Sequence, residues 1–557
     1  VVVQKTKIEQ ELKQNADEML EGRSPFHWPL EFPEIFLDDH RREGFDAIIG
    51  NPPFQGGQKI TGALGVPYRN YLVEVIADGK RGSADLCAYF FLRAVEMMRD
   101  GGMFGLLATN TIAQGDTREV GLDQVVEGGN AIVRALKSMK WPGTANLEVS
   151  EVWARKGVWN GEYVLGDESV KGITPFLTRP GAIVGNPYRL KENEGKSFIG
   201  SYLMGLGFVL EPEEAQALIT KDPKNKDVLF PYIVGEDVNA HPEQKPSRWV
   251  INFFDWPLER TANGSWQSAH QNQHKTWLKE GVVPEDYPAQ VAADYPYCLN
   301  ILGQKVKPKR LSQNDKYGQK YWWRFLRTRP ELYARIERAN RVFAIAIVSR
   351  TVGFTFLPND YVYSHKLAIF ALNSNIAFSV LQSSFHYFWA WQYSSTMKAD
   401  LNYSPSDCFE TFPFPKSTTN LDQIGQQYYD HRQSIMKTRW EGLTATYNRF
   451  HNPKETSPDI QKLRDLHIQM DNAVAQAYGW TDLDLNHDFH ETRQGVRFTI
   501  SETARREVLD RLLRLNHERY AEEVAQGLHD KSKPKKKAVK KKQTAKKKSK
   551  HDQLEMF

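Results

Sequence analysis

Asn51, Pro52, Pro53 and Phe54 are the residues of this 557-residue chain whose types and spacing best suit chemistry. Two consecutive prolines fix the backbone and lack N–H donors, so the carbonyl oxygens beside them stay available as acceptors. The Asn51 side chain adds an amide oxygen, and Phe54 adds a flat aromatic face. Together these groups could hold and polarise an exocyclic amine while the ring stacks on the base that carries it.

The elements that must position this segment follow a strand–helix–strand order. Residues 45–49 are a short apolar run that predicts a buried parallel strand. The motif follows directly at the carboxyl end of that strand, where α/β sheets place their ligands. Residues 85–99 predict an apolar helix that begins at Asp85 and stops at Gly101 and Gly102, and residues 103–108 predict the next strand. This order indicates an α/β sheet.

The segment resembles the catalytic Asn-Pro-Pro-Tyr/Phe motif of N6-adenine DNA methyltransferases of the amino-methylating class. Three further stretches match that family in the family's order, at residues 85–94, 101–110 and 141–150. Within that class, the chain most resembles the fused restriction-modification methyltransferases of types IIG and IIL and the DISARM-type phage-defence methyltransferases. The resemblance implies a partial Rossmann-like class I methyltransferase core. A mixed α/β target-recognition domain and a helical C-terminal region would follow it.

The resemblance also implies roles for the motif residues. Asn51 and the carbonyl of Pro52 would bind the adenine N6 amine, and Phe54 would stack on the flipped base; Pro53 is counted with them as part of the catalytic motif. Flipping is expected because N6 cannot be reached for attack inside the base stack. The methyl donor of this family is S-adenosylmethionine, and no metal is expected.

One family feature is absent from the sequence. The family binds its cofactor through a Gly-rich loop upstream of the catalytic motif, and no such loop stands before Asn51 or later in the chain. We therefore expect that this part is missing or lies on a further polypeptide, and that the chain alone binds S-adenosylmethionine weakly. Glu34 and Phe36, with Asn51, are candidate cofactor contacts. The alternative is a surface Glu34 beside a packed aromatic ring.

The chain divides by composition into four parts. We expect a methyltransferase part over residues 1–170, a DNA target-recognition domain over 175–415, a helical region over 420–530 and a disordered Lys-rich tail over 531–557. Within the first part, residues 1–20 predict a polar helix. The Pro-interrupted residues 25–36 predict extended or loop-like chain.

Positive charge is concentrated in two places. Residues 301–350 carry thirteen Lys or Arg against three acids, and residues 531–550 carry twelve Lys and no acid, while the rest of the chain is acidic. This partition indicates a polyanion partner, which by the resemblance is double-stranded DNA. The candidate DNA contacts are Lys305, Lys307, Lys309, Arg310, Lys320, Arg324, Arg327, Arg329, Lys366 and Lys398. The Trp322–Trp323 pair is interpreted as core.

The remaining signals concern location and partners. Three scattered cysteines favour a reducing compartment, and no apolar run approaches the roughly 18 residues of a membrane span, so we expect a soluble, cytoplasmic protein. The last five residues, QLEMF at 553–557, resemble the peptide by which bacterial replication proteins dock onto the sliding clamp. The Lys-rich tail before them is either a non-specific DNA tether or a solubility tail.

Three functional alternatives stay open at this point. The first is a site-specific DNA adenine-N6 methyltransferase, or the catalytic and recognition chain of a split one, in a restriction or phage-defence system. The second is an N-methyltransferase for RNA amines or protein amides, against which the large basic segment argues. The third is a non-catalytic DNA-binding specificity subunit. No nuclease cluster is evident in the sequence.

Overall fold

The computed structural model describes residues 26–36, 44–80, 83–141, 147–181, 185–397, 400–492 and 494–529. The polar helix predicted at 1–20 and the Lys-rich tail lie outside these ranges, and the domain limits stay predictions. Within the described ranges, no helix combines the length and the apolar character that crossing a membrane requires.

A six-stranded sheet forms the first part of the fold. Its strands are β1 (Phe45–Gly50), β2 (Met98–Thr109), β3 (Ala131–Lys140), β4 (Glu148–Arg155), β5 (Tyr163–Leu165) and β6 (Glu168–Val170). They lie in the order β1-β2-β4-β3-β5-β6. β1 pairs with β2 in parallel, whereas β4 runs antiparallel to both β2 and β3. The carboxyl ends of β1 and β2 therefore meet at one edge of the sheet.

Six helices accompany this sheet. They are α1 (Trp28–Glu31), α2 (Pro33–Phe36), α3 (Gly57–Tyr71), α4 (Leu86–Met97), α5 (Gly115–Val120) and α6 (Leu122–Glu127). α4 connects β1 to β2 and packs its apolar side on the sheet, where the rings of Phe91 and Phe104 meet edge to face with centroids 5.4 Å apart. The strand, helix and strand predicted from the sequence are all present.

Three details of this region differ from the sequence prediction. β1 is not buried: it is an edge strand with one described neighbour, and Ile49 is 88% exposed. α4 ends at Met97, before the glycines; Gly101 and Gly102 lie inside β2, because the chain turns directly into the strand. Residues 28–36 are helical rather than extended, since Pro29 and Pro33 fall in first helical turns, where proline is tolerated.

A mixed α/β region follows, with short strands in three sheets. The strands are β7 (Ser197–Ile199), β8 (Val209–Leu210), β9 (Leu229–Ile233), β10 (Arg248–Ile251), β11 (Arg341–Ala346), β12 (Val348–Ser349), β13 (Thr355–Pro358), β14 (Val362–Tyr363), β15 (Leu367–Phe370), β16 (Ser395–Met397) and β17 (Asp400–Asn402). The sheet orders are β14-β9-β10-β8, β13-β11-β15-β7 and β12-β17-β16.

The helices of this region are mostly short. They are α7 (Pro212–Lys221), α8 (Gly235–Ala240), α9 (Gln271–Glu280), α10 (Pro296–Lys305), α11 (Lys307–Leu311), α12 (Lys316–Lys320), α13 (Pro330–Ile336), α14 (Asn375–Gln382) and α15 (Ser384–Tyr393). Trp323 is 2% exposed and Trp322 is half-buried, so the tryptophan pair packs inward as predicted.

The last described part is helical, with one interruption. Its helices are α16 (Leu421–Arg439), α17 (Leu443–Phe450), α18 (Pro458–Ala477) and α19 (Glu502–Ala525). A hairpin of β18 (Asp488–Thr492) and β19 (Gly495–Thr499) lies between α18 and α19, and the sequence analysis missed it. The first strand, DFHET, has one apolar residue, so no alternation of apolar and polar residues marks it as a strand.

A buried arginine joins the helical part to the mixed region. Arg432 of α16 is fully buried, and its guanidinium donates to the Phe354 carbonyl at 2.6 Å, the Gln382 side chain at 3.1 Å and the Tyr447 hydroxyl at 3.1 Å. One side chain thus satisfies acceptors from three segments, and losing it would leave them unpaired in the core.

We predict that Arg432→Met lowers the free energy of unfolding by about 3 kcal/mol, because buried acceptors lose a charged donor. The measurement is the urea midpoint of the intact chain. Lys437→Met on the exposed side of the same helix is the matched control and should change the midpoint little. Equal midpoints for the two variants would contradict this role for Arg432.

Candidate functional site

The Asn51–Phe54 segment leaves the sheet at the carboxyl end of β1, beside β2. Gly50 pairs with Leu106, so the segment emerges three residues before β2 ends at Thr109. Asn51 and Pro53 are exposed, Pro52 is buried, and Phe54 is half-buried against the core beneath the sheet. The buried proline and the partly packed ring hold the segment, while its first residue faces outward.

Two acceptors in this segment remain unsatisfied within the described part of the chain. Neither the Asn51 side chain nor the Pro52 carbonyl takes part in a hydrogen bond there. The exposed Asn51 amide can accept from an amine that enters from solvent, and the carbonyl of the buried Pro52 is a second acceptor that no described donor uses. The geometry thus retains the acceptors that the two prolines predict.

Asp85 ties this segment to the start of α4. Its carboxylate accepts from the backbone N–H of Gln55 at 3.0 Å and from that of Cys87 at 3.2 Å. The Leu86 N–H donates to the Gln55 carbonyl at 2.9 Å. A residue that caps a helix therefore also holds the chain directly after Phe54. The sequence indicated Asp85 as a helix start but not this second role.

A second set of hydrogen bonds and close contacts stabilises the start of α4 beside the segment. The backbone N–H of Asp85 donates to the Thr117 hydroxyl at 3.1 Å, and the Ser83 N–H donates to Asp116 at 2.6 Å. Gly57, three residues after Phe54, lies so close to Ser83 that a β-carbon there would overlap the Ser83 backbone. The start of α3, the start of α4 and the start of α5 thus form one packed support.

Asn110, at the carboxyl end of β2, joins the first sheet to the mixed region. It is 4% exposed; its side-chain oxygen accepts from the Ser138 hydroxyl at 2.5 Å, and its amide nitrogen donates to Thr396 at 3.4 Å. The Thr396 N–H in turn donates to Gln114 at 2.7 Å. Strand β16 is therefore fixed beside the sheet edge that carries the motif. No local sequence signal indicates a contact between residues 286 positions apart.

The structure places Glu34 and Phe36 at the opposite end of β1 from Asn51. The Phe36 ring meets the Phe45 ring edge to face at 5.3 Å, and Phe45 is the first residue of the strand. Glu34 is exposed. Six residues of extended chain, or about 20 Å, separate Phe45 from Asn51. The structure does not bring the three candidate cofactor contacts together.

Two of the candidate DNA contacts serve the interior of the fold. Arg310 is 2% exposed and donates to the carbonyls of Leu203 at 2.6 Å and Arg324 at 2.8 Å. Arg324 is 6% exposed and donates to the Trp256 carbonyl at 2.9 Å. Burial lowers the pKa of both guanidiniums, but not enough to discharge them. Their donors are used for packing, and charge reversal at either would damage the fold.

Several other candidates are exposed or, in the case of Arg329, half-buried, and already have a partner. Lys305 lies 3.8 Å from Glu214, Lys320 lies 2.9 Å from Glu280, and Arg329 lies 3.9 Å from Glu331. The Lys307 ammonium lies 5.0 Å from the centroid of the Trp322 ring. Lys309 is exposed, and Lys398 lies outside the described residues. Exposed ion pairs are weak, so these cations can be exchanged for phosphate contacts.

Arg327 and Lys366 come together on one surface although 39 positions separate them. The backbones of Tyr202 and Arg327 exchange two hydrogen bonds of 3.1 Å, and the His365 N–H donates to the Ser201 carbonyl at 2.9 Å. Tyr202, 37% exposed, lies against the His365 ring at 4.5 Å. Arg327 and Lys366 are exposed, and no described carboxylate lies within 4 Å of either. We call Tyr202, Arg327, His365 and Lys366 the Arg327 surface.

Comparison with protein families gives two matches in separate parts of the chain. Residues 2–125 match the model described as Eco57I restriction-modification methylase. Residues 286–416 match the model described as MmeI, target recognition domain. The first match contains the Asn51–Phe54 segment, and the second contains Arg327 and Lys366. The resemblance to restriction-modification methyltransferases is therefore confirmed.

Comparisons over most of the chain also find a DNA methyltransferase and a restriction-modification enzyme. DNA methyltransferase A of Bacillus subtilis (strain 168) is 23% identical over 455 residues, which are 77% of this chain and 45% of that protein. The type IIL restriction-modification enzyme MmeI, solved in complex with DNA, is 17% identical with a TM-score of 0.60 over 85% of this chain and 57% of its own. This chain thus spans about half the length of these relatives. The structural likeness confirms the predicted fold class of methyltransferase core, mixed α/β recognition part and helical region.

We predict that Asp85→Ala loosens the segment after Phe54. Its peptide amides should exchange hydrogen faster, and stability should fall by about 1–2 kcal/mol, because two backbone donors lose their acceptor. Asp85→Asn keeps an acceptor and should stay close to the wild type. Hydrogen exchange followed by mass spectrometry over residues 51–57 measures the effect, with Asp100→Ala on the exposed surface as control. Unchanged exchange in Asp85→Ala would contradict the assigned anchor.

Proposed function

We propose that this chain is the catalytic and target-recognition part of a DNA adenine-N6 methyltransferase in a restriction-modification or phage-defence system. The observation that carries the proposal is the Asn51–Phe54 segment, exposed at the carboxyl end of β1 with two unclaimed acceptors, within residues that match a restriction-modification methylase. The match of residues 286–416 to a target recognition domain supports DNA as the substrate.

The proposed chemistry needs no covalent bond to the protein. The Asn51 amide oxygen and the Pro52 carbonyl would each accept one hydrogen of the adenine N6 amine. That arrangement orients the nitrogen lone pair and stabilises the positive charge that develops as the amine is alkylated. Phe54 would offer its exposed ring edge or face to the base, which must leave the duplex to reach these groups.

The proposed methyl donor is S-adenosylmethionine, whose sulfonium would supply an electrophilic methyl group. Glu34 and Phe36 stay candidate cofactor contacts, but the Phe36 ring lies against Phe45, at the end of β1 away from Asn51. We therefore keep Asn51 as the cofactor-proximal candidate and assign no step to Glu34 or Phe36. Whether a further polypeptide or segment supplies a Gly-rich loop stays a prediction, as does clamp docking through residues 553–557.

The two other functions make different demands on the structure. A non-catalytic specificity subunit would not need unsatisfied acceptors at Asn51 and Pro52. An amide or RNA methyltransferase would not need the recognition part that is fixed to the site through Asn110 and Thr396. The Asn110 junction favours an enzyme in which sequence recognition and base modification act on the same duplex, since it sets the distance between them.

The Arg327 surface is the proposed place of sequence readout. Arginine can pair with guanine through two parallel hydrogen bonds, whereas lysine acts as a point charge toward phosphate. Backbone bonds at Tyr202 and Ser201 fix the backbone at Arg327 and His365, so the side chains of Arg327 and Lys366 extend from neighbouring, fixed segments. We assign Arg327 to a base edge and Lys366 to the sugar–phosphate backbone.

We predict that Asn51→Ala lowers methyl transfer at least about a hundredfold, because a preorganised polar contact to the developing charge is lost. The assay is tritium transfer from S-adenosylmethionine to mixed-sequence DNA, with the chain alone and with lysate expressing its neighbouring genes. Digestion to nucleosides identifies the methylated base. Asn272→Ala, on the exposed side of α9, should behave as the wild type. Undiminished label in Asn51→Ala would refute the catalytic assignment.

We predict that Arg327→Ala and Lys366→Ala have different effects on DNA binding. Arg327→Ala should relax preference at one base pair by about 1–3 kcal/mol, and Lys366→Ala should weaken all sequences alike and reduce the salt slope by about 1. Selection of bound sequences and salt titrations measure the two effects. Lys454→Ala in the helical region is the control. If both variants altered only the salt slope, the base-reading role of Arg327 would be wrong.

A further inference from the structure

A cavity of about 380 Å³ lies away from the Asn51–Phe54 segment, where the helical region meets the mixed region. Its walls come from α15, from the end of α17, from α18 and from the β18–β19 hairpin. None of the motif residues lines it. Its volume lies within the range of small-molecule sites, roughly 300–1,000 Å³.

Aromatic rings form two sides of this cavity. Tyr387, Phe388 and Trp391 line it from α15, and Phe450 and Phe498 line it from the other side. The Phe450 and Phe498 rings meet edge to face with centroids 5.4 Å apart. Such walls suit a flat ring that can slide between them, because offset and edge contacts are the favoured arrangements of aromatic pairs.

The polar part of the wall contains an uncompensated cation. Arg505 is paired with Glu502 at 2.6 Å, but no described carboxylate lies within 4 Å of Arg497. The Nε of Arg497 is buried without a hydrogen-bond partner among the described residues. A half-buried guanidinium without a carboxylate partner favours an anionic group beside it.

Four other residues of the lining have a buried side-chain nitrogen without a partner, and Gln494 and His467 are two of them. The Nε2 of Gln494 and the Nδ1 of His467 are both buried, and neither has a partner in the part of the chain that the structure describes. The Gln494 oxygen is held by the Tyr387 hydroxyl at 2.9 Å, which fixes the amide so that its nitrogen is left over as a donor. Burial lowers the pKa of His467, whose Nε2 lies 3.2 Å from the Ser384 hydroxyl oxygen and 3.5 Å from the Asp471 carboxylate.

The unpaired polar groups distinguish this cavity from a packing defect. A void left by imperfect packing is apolar, and its lining makes no demand for hydrogen bonds. Each unpaired buried group costs free energy. Five residues of the lining each have a buried side-chain nitrogen with no partner among the described residues: Trp391, His451, His467, Gln494 and Arg497. A cavity with such a polar lining holds water or a ligand with matching polar groups, and an aromatic anion would replace that water.

We propose that this cavity binds a small molecule that combines a flat aromatic ring with an anionic group, such as a nucleoside monophosphate or an aromatic carboxylate. The ring lies between the Trp391 and Phe450 sides, and the anion lies at the half-buried Arg497 guanidinium. The site is independent of the proposed methyl transfer, and its test needs neither DNA nor methyl donor.

The test measures binding by the intact chain through tryptophan fluorescence and thermal stability, since Trp391 lies in the wall. Four probes are titrated: adenosine monophosphate, phenylacetate, inorganic phosphate and adenosine. We expect saturable binding of the first or the second, with phosphate and adenosine each at least tenfold weaker. Arg497→Gln should weaken that binding at least tenfold, whereas Lys462→Gln, which removes an exposed cation from α18 outside the cavity, should not.

The outcomes decide the proposal and its ligand class. Selective binding of the monophosphate indicates a nucleotide, and selective binding of phenylacetate indicates an aromatic acid. If no probe binds at millimolar concentration, if phosphate alone binds as tightly as the ring-bearing probes, or if Arg497→Gln binds as the wild type, the proposal is overturned. Arg497→Lys, which keeps the charge, separates lost binding from lost folding, because it should unfold with the wild type and bind with intermediate affinity.

Discussion

The Asp85 carboxylate is the contact on which the candidate site depends. A segment whose acceptors must stay free for an amine cannot be held through those same acceptors. The two prolines remove donors that could otherwise be used for anchoring, so the chain is fastened at the next residue instead, through the Gln55 N–H at 3.0 Å. The same carboxylate caps α4 at the Cys87 N–H, so loss of the anchor and loss of the helix start are linked.

A second polar residue, Asn110, lies at the same edge of the first sheet as Asn51. β1 and β2 are neighbouring strands, and Asn51 and Asn110 directly follow their carboxyl ends. The two asparagines differ in burial and in hydrogen bonding. Asn51 is exposed, and its side chain has no hydrogen-bond partner within the described residues. Asn110 is buried, and both the oxygen and the nitrogen of its side-chain amide are hydrogen-bonded. Through Thr396 the buried asparagine fixes the mixed region to the sheet. A short polar junction is suited to this task because it specifies one geometry, whereas an apolar contact of similar size would tolerate sliding.

Local sequence signals predicted the elements that local physics determines. The strand at Phe45, the capped helix after Asp85 and the long helix at Pro458–Ala477 follow from apolar periodicity and end residues. The exposure of β1 could not be predicted, because an apolar run is the same whether its strand is central or at an edge. The helices at residues 28–36 were missed because proline disfavours a helix interior but not its first turn. The Asn110 junction and the pairing of Tyr202 with Arg327 depend on contacts across more than 100 residues.

The charge counted along the sequence overstates the charge that DNA would meet at residues 301–350. Arg310 and Arg324 are buried, and the Arg341 guanidinium lies 3.6 Å from the Phe356 ring centre while it donates to the Asn373 carbonyl. Lys305, Lys320, Arg329 and Arg350 each lie within 4 Å of a carboxylate. The attraction to a polyanion therefore depends on a few free cations and on where the backbone holds them. Lys366 lies outside residues 301–350, but the fold places it on the same surface as Arg327. A charge count over neighbouring sequence positions therefore omits it.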